Sequence, residues 1–206
     1  MDGGVDDGTL MTAAALLLGY LLGSVPFGLI LTRASGAGDI RAIGSGNIGA
    51  TNVLRTGRKG LAAATLILDA AKGAIAVLLA QRLPGGGDLD LGLYAAAGAL
   101  IGHCYPVWLS FKGGKGIATA FGLLLVLAPF VALWCGVLWL GTLAAFRFSS
   151  LASLVAAAAA PLAAAAYGGF NVAALFLGLA AIVIWKHRAN VERLLSGEEP
   201  RVGRKA

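Results

Sequence analysis

Mostly apolar stretches, each long enough to cross a bilayer, follow one another along nearly the whole chain, and no other feature narrows its possible folds so far. A span needs roughly 17–25 apolar residues, and about seven can be read, at 11–31, 61–81, 91–109, 116–129, 130–146, 150–167 and 170–186. Pro129 is the only punctuation between the fourth and fifth. Lipid offers no partner to bare backbone N–H and C=O groups, so the expected fold is all-α: a polytopic membrane helix bundle, one domain over residues 1–206. Composition agrees. Of 206 residues, 58% are hydrophobic and 13% charged, with a mean hydropathy of +0.83, well outside the range of a soluble domain.

The first residues, Met1-Asp2-Gly3-Gly4-Val5-Asp6-Asp7-Gly8, are acidic and lack the basic start of a secretory signal, so the first apolar stretch is expected to stay as a helix. Cys104 and Cys135 have no metal-ligand spacing and are read as inert buried thiols. Basic residues mark cytoplasmic loops. Alternate connections carry Arg33, Arg41, Arg55, Arg58 and Lys59, then Lys112 and Lys115, then Arg147, then the tail from Lys186 to Lys205. The opposite face carries Arg82 among Asp2, Asp6, Asp7, Asp88 and Asp90. An odd number of spans, with the N-terminus outside and the C-terminus in the cytoplasm, satisfies this asymmetry. The net charge of +6 is then mainly a topology signal. Nucleic-acid binding is not indicated, since no basic patch interleaved with aromatics lies on a soluble domain.

Three polar clusters fall on the cytoplasmic side in this topology. The first is Gly44-Ser45-Gly46-Asn47-Ile48-Gly49-Ala50-Thr51-Asn52-Val53-Leu54-Arg55, in which glycines let backbone N–H groups point into one concavity beside cationic side chains, a natural fit for phosphate. The second, residues 102–119, holds His103, Lys112, Gly113, Gly114, Lys115, Gly116 and Thr119, and leads into the N-terminal turn of the fourth span. The third runs over 187–199; if the last helix continues there, His187 and Asn190 share one face at i, i+3. Gly113-Gly114-Lys115-Gly116 is not a nucleotide P-loop, because Lys115 is followed by glycine and not Ser/Thr. The His187-to-Glu192 spacing resembles the histidine-plus-acid spacing of the familiar glycerolipid acyltransferases, but it holds Glu where those enzymes have Asp and sits on a tail outside their usual soluble-facing domain, so it is set aside. Asp69 and Lys72, three residues apart inside the second span, are expected to pair and orient that helix. Runs of small residues such as 156–160 allow close helix approach and read as scaffold.

These motifs resemble the bacterial acyl-phosphate:glycerol-3-phosphate acyltransferases, the PlsY family, at Gly23-Ser24-Val25-Pro26-Phe27-Gly28, residues 44–55, Leu68-Asp69-Ala70-Ala71-Lys72-Gly73, residues 102–119 and residues 187–199. The resemblance implies a multi-pass bacterial inner-membrane enzyme with its active site facing the cytoplasm. It implies transfer of a fatty acyl group from acyl phosphate to the sn-1 hydroxyl of glycerol 3-phosphate, giving lysophosphatidic acid and phosphate. By resemblance, Ser45 and Arg55 contact the acyl phosphate, and Gly46, Asn47, Gly49, Thr51 and Asn52 shape that loop. His103, Lys112, Gly113, Gly114, Lys115, Gly116 and Thr119 shape the glycerol 3-phosphate site, while His187 and Asn190 complete the chemistry and Glu199 fixes the tail.

Residue chemistry suits this reaction on its own terms. Two phosphorylated substrates need two anion sites, and an already activated donor asks mainly for alignment and charge stabilisation. No carboxylate neighbours His103 or His187 in sequence, so direct transfer is expected over a covalent Ser45 intermediate. No cofactor or metal is expected. The rival reading, a transporter of a phosphorylated or anionic small molecule, should put polar residues near the midplane and on both faces. Acyl-chain preference, binding order, oligomeric state and the pairing of each lysine with a phosphate stay open.

Overall fold

The computed structural model describes residues 6–84 and 89–203. Asp2, Asp88 and Lys205, which entered the charge argument, lie outside the described residues. The described chain is helical throughout, without a strand, and divides into two compact units, Met1–Leu127 and Ala128–Ala206.

The first unit contains α1 (Asp7–Gly23), α2 (Phe27–Ala34), the single turn α3 (Ala50–Leu54), α4 (Lys59–Ala80), α5 (Leu89–Cys104) and α6 (Ile117–Leu127). Asp6 caps α1 by accepting from the Thr9 N–H at 2.6 Å, and this bond holds its carboxyl below the usual carboxylate range. Its centre is a close, reciprocal packing of α1 on α5. A β-carbon on Gly19 or Gly23 would collide with the backbone of Ala95 or Ala99, and one on Gly98 or Gly102 with that of Leu16 or Tyr20. Small residues at four-residue spacing on both helices thus let the backbones touch, where lipid supplies no hydrophobic drive for association. The same device joins α4 to α6, with Gly122 against the Ala70 backbone and Gly73 against Thr119.

The expected span 11–31 is broken at Ser24-Val25-Pro26, between α1 and α2. Pro26 has no N–H to continue the helical ladder, and Ser24 Oγ turns back onto the Leu21 carbonyl at 2.7 Å. The expected spans 91–109 and 116–129 shorten to α5 and α6, because the chain leaves the helix at Tyr105-Pro106 and re-enters only after Gly116.

The second unit contains α7 (Pro129–Phe146), α8 (Ser149–Tyr167), α9 (Phe170–Lys186) and α10 (Arg188–Leu195). Pro129 opens α7, where its missing N–H costs nothing. Trp139 on α7 donates its ring N–H to Ser153 Oγ on α8 at 3.2 Å, and Ala152, Ala156, Ala160 and Ala164 form a buried stripe along α8. Both cysteines are free and buried. The last helix does not run straight: α9 and α10 meet at a 58° bend, and His187 stands at that bend. Among the described residues, four helical stretches are long and apolar enough to cross a membrane: Asp7–Ala34 taken across its break, Lys59–Ala80, Pro129–Phe146 and Ser149–Tyr167. A fifth is added if α9 and α10 count as one bent span.

Candidate active site

The first polar loop is organised by one buried amide. Asn52 is 1% exposed; its Nδ2 donates to the carbonyls of Ile40 at 2.7 Å and Ile43 at 3.1 Å. Its Oδ1 accepts from the Ser45 N–H at 3.2 Å and from the Arg55 guanidinium at 3.3 Å. Gly44 has a φ of +56°, and a β-carbon there would strike Asn52 Oδ1 and Arg55. Under the loop lies an apolar cluster of Leu29, Ile40, Ile48, Val53 and Ala62. Ser45, Gly46, Thr51 and Arg55 are exposed, whereas Asn47 and Gly49 are half-buried. Beside the loop, Asp39 pairs with Arg41 and Arg33; hydrogen bonds from the Arg41 side chain and backbone, then from Arg33, hold its carboxyl well below the usual range.

The second loop folds back over the end of α5. Gly113 and Gly114 donate their N–H groups to the carbonyls of Cys104 at 3.2 Å and His103 at 3.0 Å, satisfying acceptors that the helix end would leave open. Gly114 lies against the His103 imidazole so closely that a β-carbon would overlap the ring. His103 is 4% exposed and Thr119 is fully buried, so both sit beneath the loop surface. Lys112 is exposed, Lys115 half-buried, Gly113 half-buried and Gly116 buried. Two aromatic side chains pin this segment to α1: Tyr20 Oη donates to the Tyr105 carbonyl and accepts from the Val107 N–H, both at 3.0 Å. The Trp108 ring N–H donates to the Ser24 carbonyl at 2.8 Å. Leu109, from the same segment, packs against the apolar cluster under the first loop. The serine-bearing and lysine-bearing loops therefore share a floor.

Asp69 and Lys72 pair as the sequence led one to expect, at 2.7 Å and nearly fully buried. Lys72 Nζ also donates to the Val25 carbonyl at 2.8 Å, at the break of the first span, and stands 5.8 Å from the centre of the Phe27 ring.

In the second unit, Glu199 is the hub. Its Oε1 accepts from Ser150 Oγ at 2.6 Å and Asn190 Nδ2 at 2.7 Å, and its Oε2 from Arg193 Nε at 2.7 Å. Burial pushes the carboxyl up, but the hydrogen bonds from Ser150, Asn190 and Arg193 together outweigh it and leave the group below its ordinary value. The tail continues along the turn between α7 and α8, with Val202 N–H donating to the Arg147 carbonyl at 2.8 Å. His187 is 3% exposed, and its Nδ1 lies 2.8 Å from the Val183 carbonyl. Asn190 is thus held to Glu199, a contact that the i, i+3 face argument did not foresee. Among the described residues no group of three His, Cys, Asp or Glu side chains could hold a metal ion.

Sequence reasoning passed over Tyr20, Trp108 and Ser150. Ser150 carries no local signal. Gly19 to Gly23 and Gly98 to Gly102, both at the four-residue spacing of packed membrane helices, are the signal from which the α1–α5 contact could have been read.

Two cationic, glycine-rich loops on one shared apolar floor, in a bundle of apolar helices, have the chemistry to receive anionic groups at a membrane. Residues 13–197 match the family described as glycerol-3-phosphate acyltransferase, and the chain belongs to that family. A glycerol-3-phosphate acyltransferase of Methylorubrum extorquens is 57% identical over 192 residues, covering 93% of each chain. That of Maricaulis maris is 58% identical over 196 residues, covering 95% of this chain and 89% of the relative. The crystal structure of PlsY, an integral membrane glycerol 3-phosphate acyltransferase, in its glycerol 3-phosphate form superposes with a TM-score of 0.87 at 39% identity, covering 93% of this chain and 96% of PlsY. Its lysophosphatidic acid form gives 0.83 at 37% identity, covering 93% and 95%.

Proposed function

We propose that this chain transfers a fatty acyl group from acyl phosphate to the sn-1 hydroxyl of glycerol 3-phosphate, releasing phosphate and leaving lysophosphatidic acid in the membrane. The observation that carries the proposal is the shared floor: Leu109, beside the lysines, packs against the cluster that supports the Ser45–Arg55 loop. Two phosphate-bearing substrates need two neighbouring anion sites, and family membership supplies the acyl-transfer chemistry.

In this reading the acceptor hydroxyl attacks the acyl carbonyl, the bond from that carbon to the phosphate oxygen breaks, and the hydroxyl proton leaves on the departing phosphate. Arg55, aimed by Asn52, stabilises the negative charge that grows on the donor. Ser45 orients the donor, with Gly46, Asn47, Gly49 and Thr51 giving close backbone approach. Lys112 and Lys115, with Gly113, Gly114 and Gly116, hold the phosphate of glycerol 3-phosphate, and His103 and Thr119 support that loop from below. His187 and Asn190 are proposed as further residues of the same reaction, on the strength of the third polar motif. We also propose about seven spans with an external N-terminus, a cytoplasmic active site in the bacterial inner membrane, and one functional domain over the whole chain.

The test uses purified protein in detergent supplied with acyl phosphate. Phosphate release that requires glycerol 3-phosphate and is insensitive to chelator supports the proposal; uptake of glycerol 3-phosphate into liposomes without turnover would overturn it in favour of transport. An acyl adduct trapped on Ser45, seen by intact-protein mass spectrometry, would replace direct transfer by a covalent route.

A further inference from the structure

We infer that Asp69 is a positioning residue for the lysine-bearing loop, acting through the buried contacts its carboxylate makes to Lys72 and His103. The inference rests on the proposed role of that loop in holding glycerol 3-phosphate. Asp69 Oδ1 lies 2.7 Å from Lys72 Nζ and 3.8 Å from His103 Nδ1, and all three side chains are at most 4% exposed. From this point the structure runs in three directions. Lys72 reaches the Val25 carbonyl at the break of the first span, and that carbonyl lies one residue from Ser24, whose own carbonyl receives the Trp108 ring N–H. His103 presents its ring to Gly114, whose N–H returns to the His103 carbonyl. Gly73, one helical turn beyond Asp69, packs on the Thr119 backbone just after the loop re-enters helix α6.

One carboxylate therefore reaches the α1–α2 break through Lys72 and stands 3.8 Å from the imidazole beneath Gly114, and its helix meets the start of α6. An ion pair this deep is weak evidence for stability, because well-packed apolar residues of similar volume commonly serve as well. Apolar side chains could neither give Lys72 Nζ its anionic partner, and so its direction toward Val25, nor set a carboxylate 3.8 Å from Nδ1 of the His103 ring on which Gly114 rests. Loss of that direction lets Gly114 and Lys115 shift, and a shift of the loop weakens acceptor binding while the donor side, set by Asn52 and Arg55, stays in place.

The experiment compares steady-state kinetics and thermal midpoints of the full-length enzyme in detergent. Asp69→Leu with Lys72→Met replaces the pair by apolar residues without leaving either charge unpaired. The expected result is a midpoint near that of the parent, a KM for glycerol 3-phosphate raised about tenfold, and kcat and the KM for acyl phosphate within about threefold. A parent-like KM in this folded double variant overturns the inference. If the double variant does not fold, Asp69→Glu decides the matter: it keeps the charge but moves the carboxylate by one methylene, and the same KM should rise about threefold with kcat unchanged, whereas an unchanged KM overturns the inference. Lys115→Met separates the two levels. Should it leave the KM for glycerol 3-phosphate unaltered, the loop assignment itself fails; should it raise that KM while the Asp69 variants do not, only the positioning role fails.

Discussion

Asn52 in the first unit and Glu199 in the second do the same mechanical task with opposite electrostatics. Each is a buried side chain that gathers polar groups distant in sequence and so fixes an irregular segment: Asn52 the loop with Ser45 and Arg55, Glu199 the tail after α10. The amide of Asn52 both donates and accepts, so it can satisfy two carbonyls and two donors without a net charge. The carboxylate of Glu199 only accepts, and every one of its partners is a donor. The neutral hub leaves the Arg55 charge uncancelled and turned toward the exposed face of the loop. The anionic hub neutralises the cation it holds, Arg193. The phosphate contact proposed for the loop gains from the first arrangement, and the docked tail gains from the second.

Asn52→Leu should break the comparison most severely. It removes four hydrogen bonds at near-constant volume and strands the Ile40 and Ile43 carbonyls, at about 1–3 kcal/mol for each buried group left unpaired. We expect turnover to fall about 100-fold, a loss of about 2.7 kcal/mol in transition-state stabilisation, with a clear drop in thermal midpoint. Retention of more than about a third of the parent rate would show that the loop holds its shape without the amide.

Asn52→Asp turns the neutral hub into an anionic one. The two donors to Ile40 and Ile43 are lost, while the pairing with Arg55 strengthens, so the positive charge offered to a phosphate is partly cancelled. A rate about tenfold below the parent, together with a raised KM for acyl phosphate, is the expected outcome. An unchanged KM for acyl phosphate would separate Arg55 from donor binding.

These variants also mark where the sequence was readable. The membrane class, the polar loops and the Asp69–Lys72 pair are visible in residue type and spacing, because hydropathy and isolated charge inside a span are local properties; the role of Glu199 in fixing the tail came only from the family resemblance. The bonds of Asn52 to residues 40–45 are not visible in this way, since they depend on how the chain doubles back over Leu29 and Val53. The same holds for the Lys72 contact with Val25, which exists only because Pro26 breaks the first span. The bend at His187 also escaped notice, because nothing in Trp185-Lys186-His187-Arg188 interrupts helical patterning.

Glu199→Gln tests the other half of the comparison through pH. The folded-state value of Glu199 is depressed, so ionisation stabilises the fold above the unfolded value of about 4.3, and that contribution disappears as pH falls through the lower folded value. The parent should therefore lose thermal midpoint as pH drops below about 5, whereas the Gln variant should start lower at pH 7 and fall less over the same interval. Circular dichroism melts in detergent between pH 7 and pH 4 would show it; parallel curves for the two proteins would mean that Glu199 does not carry the dependence.

The smallest effect is expected at Asp39, although its carboxyl is depressed further than that of Glu199. Asp39 pairs with Arg33 and Arg41 at side chains that are 57% and 41% exposed, and exposed pairs of this kind contribute little because water and salt screen them. Asp39→Asn keeps an acceptor for the Arg41 N–H and should leave the thermal midpoint unchanged. Its sign on activity follows from charge: freeing Arg41 beside the Ser45 loop should lower the KM for acyl phosphate by up to about twofold at low salt, with the difference fading as ionic strength rises. A large loss of stability instead would show that a hub need not be buried to matter here, and the contrast between Asn52 and Glu199 would then owe less to burial than to the number of bonds each makes.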